Sequence, residues 1–142
     1  MDFLKEYLDI LVFGILGVMS FLMIAYVMER MVFFSRVRLE EYGDVHTLRV
    51  ALDNHLTIIG SIAANAPYIG LLGTVFGILI TFHDLSQEGS GLSASVIMLG
   101  LAMALKATAA GLVVAVPATL AYNGLLRKVD VLVARWRGAQ GA

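Results

Sequence analysis

The sequence predicts an all-α membrane protein with three transmembrane helices, of which the second and third are long and extend into the cytoplasm. Of its 142 residues, 59% are hydrophobic and only 15% are charged, whereas charged residues make up about 25% of an ordinary soluble domain. The charges are also unevenly placed, because three long stretches of the chain carry almost none. We therefore expect one integral membrane domain over residues 1–142.

The first uncharged stretch, residues 10–28, predicts one transmembrane helix. A hydrocarbon core about 30 Å thick takes roughly 20 apolar residues to cross. A cleaved signal peptide is the alternative interpretation, and it needs a positively charged start and a small-residue cleavage site. The residues before this stretch are net negative, and the stretch is followed by Glu29 and Arg30. A retained helix is therefore the preferred interpretation.

A helical connecting segment is expected over residues 29–56. Apolar residues recur there at intervals of three and four positions from Val45 to Leu56, which is the spacing of an amphipathic helix. We predict a short helix over 45–56, preceded by a break at Gly43 and Asp44 and leading into the second span.

The second and third transmembrane helices are predicted near residues 60–82 and 93–115. The uncharged stretches around them, 54–83 and 89–126, are interrupted only by Lys106. At about 1.5 Å per residue these stretches reach about 45 and 57 Å, so each exceeds one crossing without making two. Both helices should therefore continue beyond the bilayer, and residues 116–142 form the C-terminal tail.

The orientation follows from the basic residues, which concentrate in cytoplasmic segments of membrane proteins. The connecting segment carries four arginines and the tail carries four Lys or Arg residues, whereas the segment 84–88 carries none. The N-terminus is therefore expected outside the cytoplasm and the C-terminus inside it.

Small residues form a stripe on each of the last two predicted spans, and such stripes let helices approach closely. One interpretation is that several copies pack side by side, with the hydroxyls of Thr74 and Thr108 facing a shared interior. The other is that glycine and alanine tighten a single bundle, with each threonine bonding its own helix. Pro67 and Pro117 should disturb their helices, because each lacks an N–H group. The stripes are Ala66, Gly70, Gly73 and Gly77 on the second span, and Ala104, Thr108, Gly111, Ala115 and Thr119 on the third.

Lys106 is the one charge within the predicted spans. If the third span begins near residue 93, Lys106 lies about 20 Å along it. A charge at that depth marks a functional site with a partner. The alternative is an interfacial lysine on a helix that sits lower in the bilayer.

Several classes of function are excluded or disfavoured by the sequence. With no cysteine and a net charge of −1, the chain has no thiolate metal site and no basic surface for nucleic acid. Hydrolase, zinc-protease and P-loop signatures are absent, so we expect neither an enzyme nor a cofactor or metal site. A membrane scaffold stays open as an alternative.

Two segments resemble the signatures of the MotA/TolQ/ExbB proton-channel family. Residues 66–78, APYIGLLGTVFGI, are similar to A-P-x-x-G-L-x-G-T-V-x-G-I in the second span of that family. Residues 104–118, ALKATAAGLVVAVPA, are similar to A-L-x-x-T-A-x-G-L-x-x-A-I-P-A in the third. Within the family the resemblance is greatest to the ExbB branch, in a short form without a large cytoplasmic domain, and the TolQ branch is close.

The resemblance implies a subunit of an inner-membrane motor driven by proton-motive force. Such subunits form an oligomer, here expected to be a pentamer, around an ExbD-like single-span partner that carries an intramembrane aspartate. The complex energises import through a TonB-like protein, or acts in the Tol-Pal system if the chain is TolQ-like. Thr74 and Thr108 match the pore-facing threonines of the family. The motif residues carried over are Pro67, Gly70, Gly73 and Gly77 in the second span, and Gly111 and Pro117 in the third.

The chain departs from the family pattern at one position. Larger ExbB proteins have a glutamate five residues before the motif threonine, where this chain has Met103. Lys106 lies three residues further along, on roughly the same face of the helix. The hypothesis is that Lys106 pairs with a carboxylate of the partner or of a neighbouring subunit.

Overall fold

The computed structural model describes residues 2–88 and 94–141, which form helices joined by short turns. The three longest helices contain 35, 33 and 48 residues, and each is long and apolar enough to cross a membrane. The predicted all-α fold with three long apolar helices is thus confirmed. The elements in order are α1 (Asp2–Arg36), a 3₁₀ turn (Leu39–Glu41), α2 (Val45–Asp53), α3 (Leu56–Glu88) and α4 (Ala94–Gly141).

α4 is one continuous helix of 48 residues, about 70 Å long at about 1.5 Å per residue. Pro117 lies inside α4, as Pro67 lies inside α3, and neither ends its helix. The predicted tail, 116–142, is therefore a continuation of the third helix as far as Gly141. Residues 93 and 142, at the predicted edges of the third span and of the tail, lie outside the described part of the chain.

α2 is shorter than predicted, because the helix expected over 45–56 ends at Asp53. Asn54 and His55 form a turn before α3 begins. His55 has a φ of 68°, a left-handed conformation in which histidine is enriched among non-glycine residues. Its ring stacks on Tyr26 of α1, with 4.6 Å between the ring centroids. Asp44 occupies the N-cap position of α2, so the predicted break before this helix is confirmed.

The basic end of the bundle is the end where α1 finishes at Arg36 and α4 carries Arg127 and Lys128. A buried apolar core lies there, built from all four α-helices, as in a soluble bundle. The indole Nε1–H of Trp136 donates to the carbonyl oxygen of Tyr42 over 2.8 Å. The core residues are Phe34, Leu48, Leu52, Leu56, Ile59, Leu125, Val129, Leu132, Val133 and Trp136.

Arg30 fixes the end of α1 to the end of α2. Its side chain is only 2% exposed, and Nη1 donates to the carbonyl oxygens of Ala51 at 2.7 Å and Leu52 at 3.3 Å. The same guanidinium pairs with Glu29 at 2.6 Å and lies 4.3 Å from the ring centroid of Phe33. A cation at a helix C-terminus satisfies carbonyls that have no partner within the helix.

Candidate functional site

The candidate site lies where α3 and α4 pack so closely that only glycine fits. A Cβ added to Gly70 would lie 2.5 Å from the carbonyl oxygen of Ala107, and one added to Gly111 would lie 2.7 Å from that of Ala66. A Cβ added to Gly73 would lie 2.7 Å from the Cβ of Ala107. We call this contact the α3–α4 seam. Its backbones approach as they do in small-residue helix pairs of membranes.

The two predicted small-residue stripes therefore pack against each other within one chain. On α4 the buried residues include Ala107 and Ala118, whereas Thr108 is half-buried and Thr119 is exposed. The buried face of α4 is thus rotated slightly from the predicted stripe. Since packing within one chain explains both stripes, the stripes themselves carry no argument for an oligomer.

Thr74 and Thr108 meet in the seam and their hydroxyls hydrogen-bond to each other. Thr74 is 7% exposed, and its Oγ1 lies 3.0 Å from the carbonyl oxygen of Ala104 and 3.3 Å from that of Gly70. A hydroxyl has one proton and two acceptor lone pairs. If Thr74 donates to the carbonyl oxygen of Ala104, then Thr108 donates to Thr74. The two hydrogen bonds then run in series from Thr108 of α4 to Thr74 of α3 and from Thr74 to Ala104 of α4.

Thr108 is half-buried whereas Thr74 is buried, so Thr108 is the member of the pair nearer the outside of the chain. α1 covers a different part of the seam, where Val12 and Leu16 pack in one buried cluster with Ala66, Ala107 and Ala115. Thr81 contrasts with this pair: it is equally buried, but its hydroxyl donates to Gly77 of its own helix over 2.9 Å. Of these two buried threonines of α3, only Thr74 forms hydrogen bonds to a second helix.

The packing also fixes the relative heights of the three long helices. A Cβ on Gly73 would lie 3.2 Å from Val12 and 2.7 Å from Ala107, so these three residues lie at one level. Lys106 is then level with Leu11, about 1.5 Å from that plane. Leu11 lies at the start of the predicted span 10–28, whereas Lys106 lies well inside the predicted span 93–115. The three predicted spans therefore do not share common boundary planes.

The structure does not bring Lys106 to the hydroxyl pair. Lys106 is exposed and, within residues 2–88 and 94–141, forms no ion pair. It is two residues from Thr108 and therefore turned about 200° around α4. Met103, which replaces the family glutamate, is also exposed.

Sequence reasoning missed two polar contacts. The sequence identifies Arg30 only as a charge after the first span, because the carbonyls it binds belong to a helix more than 20 residues away. Lys5 of α1 reaches Asp84 of α3 at 3.8 Å, at the end of the bundle opposite the basic end. Neither pairing has a signal in residue spacing. No group of three or more His, Cys, Asp or Glu in the described residues could hold a metal ion.

The fold and the seam define a multi-pass membrane protein with a hydroxyl pair between two glycine-packed spans. The chain belongs to the MotA/TolQ/ExbB proton channel family, whose pattern it matches over residues 34–138. It is 52% identical to the biopolymer transport protein ExbB of Helicobacter pylori, over 96% of this chain and 94% of that protein. It is 43% identical to the ExbB of Aquifex aeolicus, over 99% and 95%. It is also 40% identical to the Tol-Pal system protein TolQ of Haemophilus influenzae, over 58% of this chain and 36% of that protein.

Proposed function

We propose that this chain is the ExbB-type subunit of an inner-membrane motor that uses proton-motive force to energise TonB-dependent import. Several copies, five in our proposal, surround an ExbD-like single-span partner that brings a membrane-embedded aspartate. The N-terminus lies in the periplasm and the basic end lies in the cytoplasm, in keeping with the distribution of Lys and Arg. The similarity to ExbB proteins over nearly the whole chain supports this assignment.

The observation that carries the proposal is the hydroxyl pair of Thr74 and Thr108 in the α3–α4 seam. A proton crossing hydrocarbon needs a titratable carrier, and residues 54–83 and 94–126 contain no carboxylate. The hydroxyls do not titrate near neutral pH, and Lys106, the one charged side chain of residues 60–82 and 94–115, is turned about 200° away from Thr108. The carrier therefore comes from another chain. This chain supplies the wall along which the carrier changes its charge.

The hydroxyl pair can serve both protonation states of such a carrier. A protonated carboxylic acid donates to the free lone pair of Thr108, while Thr108 donates to Thr74. An ionised carboxylate accepts from Thr108 after that hydroxyl has rotated, and charge-assisted hydrogen bonds of this kind are the stronger ones. When Thr108 turns its proton to the carboxylate, the proton of Thr74 turns from the carbonyl oxygen of Ala104 to Thr108, and the two hydroxyls stay hydrogen-bonded. Loss of the proton by the carrier therefore leaves neither hydroxyl without a partner.

Replacing both hydroxyls by methyl groups tests this role. We expect Thr74→Val with Thr108→Val to assemble normally and to lose most energised uptake, because the ionised carrier has no donor in the seam. Thr81→Val is the matched control: it removes an equally buried hydroxyl that bonds only its own helix. Uptake that survives the double substitution as well as it survives Thr81→Val would support a passive scaffold instead.

Lys106 has a separate role in our proposal, because it is turned away from Thr108. We propose that it pairs with a carboxylate of a neighbouring subunit or partner, since its ammonium is exposed and forms no ion pair within residues 2–88 and 94–141. The Lys106→Met variant should assemble less stably and lose uptake in proportion. Full uptake by this variant would remove Lys106 from the mechanism.

A TolQ-type role in the Tol-Pal system is the second candidate, favoured by the similarity to TolQ over part of the chain. Expression in cells that lack either ExbB or TolQ separates the two. Restored TonB-dependent import supports the first assignment, and restored envelope integrity without import supports the second.

A further inference from the structure

A groove of about 510 Å³ runs between α1 and α4 at the basic end of the bundle. Val27 and Met31 line it from α1, and Gly124 and Leu125 line it from α4. The groove is unobstructed at Gly124, because an added Cβ there would meet no atom within 4 Å. Grooves of 300–1,000 Å³ are the usual size for small-molecule ligands. We call it the α1–α4 groove.

The groove changes from apolar to basic along its length. Ser35 and Lys128 line the end of the groove that lies nearest the C-terminus of α1. The Ser35 hydroxyl already donates to the carbonyl oxygen of Val32 over 2.8 Å, so the Lys128 ammonium is the donor available to a ligand. Lys128 forms no ion pair with any residue that the structure describes.

Among the residues that the structure describes, no carboxylate lines the groove. The nearest acidic residue of α4 is Asp130, which two helical steps turn about 200° away from Lys128. On α1, Glu29 is engaged by Arg30. The charge presented to a ligand is therefore positive. Arg36 and Arg127 do not line the groove, but each is next in sequence to a lining residue, Ser35 or Lys128, and is turned about 100° from it.

We propose that the α1–α4 groove binds one anionic phospholipid from the bilayer leaflet at the basic end. An acyl chain lies along Val27, Met31 and Gly124, and the phosphate meets the Lys128 ammonium. The order of the groove, apolar and then cationic, matches the order of such a lipid, chain and then headgroup. A basic residue close to an anionic membrane surface contributes about 1 kcal/mol to binding. Two further cations nearby favour an anionic headgroup over a zwitterionic one.

The probe is phosphatidylglycerol that carries a spin label near the end of its chain, in phosphatidylcholine vesicles that contain the full-length protein. Electron spin resonance separates protein-bound lipid from free lipid, and the same measurement with labelled phosphatidylcholine gives the selectivity ratio. We expect wild-type protein to prefer phosphatidylglycerol. Lys128→Gln should lower the ratio by up to about fivefold, which corresponds to about 1 kcal/mol.

Gly124→Leu tests the apolar part of the groove, because Gly124 lines it and an added Cβ there meets no atom within 4 Å. We expect it to reduce the amount of bound lipid of both kinds. Arg137→Gln and Gly138→Leu are the matched controls on α4 outside the groove, and a Cβ at Gly138 is equally unobstructed. Neither control should change lipid binding.

Three results would overturn the proposal. One is a selectivity ratio that is the same in Lys128→Gln as in wild type. Another is an equal loss in Arg137→Gln, which would indicate attraction by net charge alone. The third is a change in the mass of the purified assembly in Gly124→Leu with lipid binding unchanged, which would mean that a second copy of the chain occupies the groove.

Discussion

Replacing Gly70 by alanine is the most direct perturbation of the α3–α4 seam. The added methyl group would lie 2.5 Å from the carbonyl oxygen of Ala107 and 3.1 Å from the Cα atoms of Gly111 and Thr108. All three neighbours are main-chain atoms, so no side chain can rotate out of the way. The helices must separate by about 1 Å to restore ordinary contact distances.

The expected destabilisation follows from two opposing effects. Overpacking a well-packed contact lowers the free energy of unfolding by about 1–3 kcal/mol. Alanine is a better helix former than glycine by up to about 1 kcal/mol, which offsets part of this loss. We expect Gly70→Ala to lower the free energy of unfolding by about 2 kcal/mol, and to weaken the hydrogen bond between Thr74 and Thr108 as the helices separate.

Gly17→Ala on α1 is the matched control, because an added Cβ there meets no atom within 4 Å. Thermal stability in mild detergent, measured as the loss of the folded peak on size-exclusion chromatography, compares the two variants. Gly70→Ala should melt several degrees below wild type and Gly17→Ala at or slightly above it. Equal melting temperatures for the two variants would refute the close approach of α3 and α4.

Two further predictions concern the basic end of the bundle. Arg30→Leu should lower the free energy of unfolding by about 3 kcal/mol, because two carbonyl oxygens at the end of α2 lose their donor. Arg38→Leu, at an exposed position, is the control. An equal loss of stability in both variants would contradict the role of Arg30 in fixing α1 to α2. Trp136→Phe should cost about 1 kcal/mol through loss of the hydrogen bond to Tyr42. Urea titration of the purified protein measures each, and an unchanged midpoint for Trp136→Phe would mean that its ring packing alone matters.

The three long helices could be predicted from the sequence because length and lack of charge are properties of each segment alone. Their relative heights could not, since contacts such as Val12 with Gly73 and Ala107 set the register. Charges mark where an apolar segment ends, but an apolar segment longer than the bilayer thickness can cross the membrane at more than one height. Lys106 illustrates this, because its predicted depth came from the start of one span taken in isolation.

The site was predictable in its residue types and not in its partners. The motifs pointed to Thr74 and Thr108, yet the sequence placed them on separate helices with no indication that they touch. The end of α2 at Asp53 was missed because helical periodicity continues through Leu56. The helix is interrupted there by Asn54, whose ψ is 132°, and by the left-handed conformation of His55.

Proton flux into vesicles tests the central claim most directly. The purified chain is reconstituted alone, or together with a single-span partner that carries a membrane-embedded aspartate, and an imposed pH gradient is followed with an internal fluorescent dye. The account predicts no flux above that of empty vesicles for the chain alone, and flux with the partner that disappears when its aspartate becomes asparagine. Flux through the chain alone would contradict the claim that the proton carrier belongs to another polypeptide.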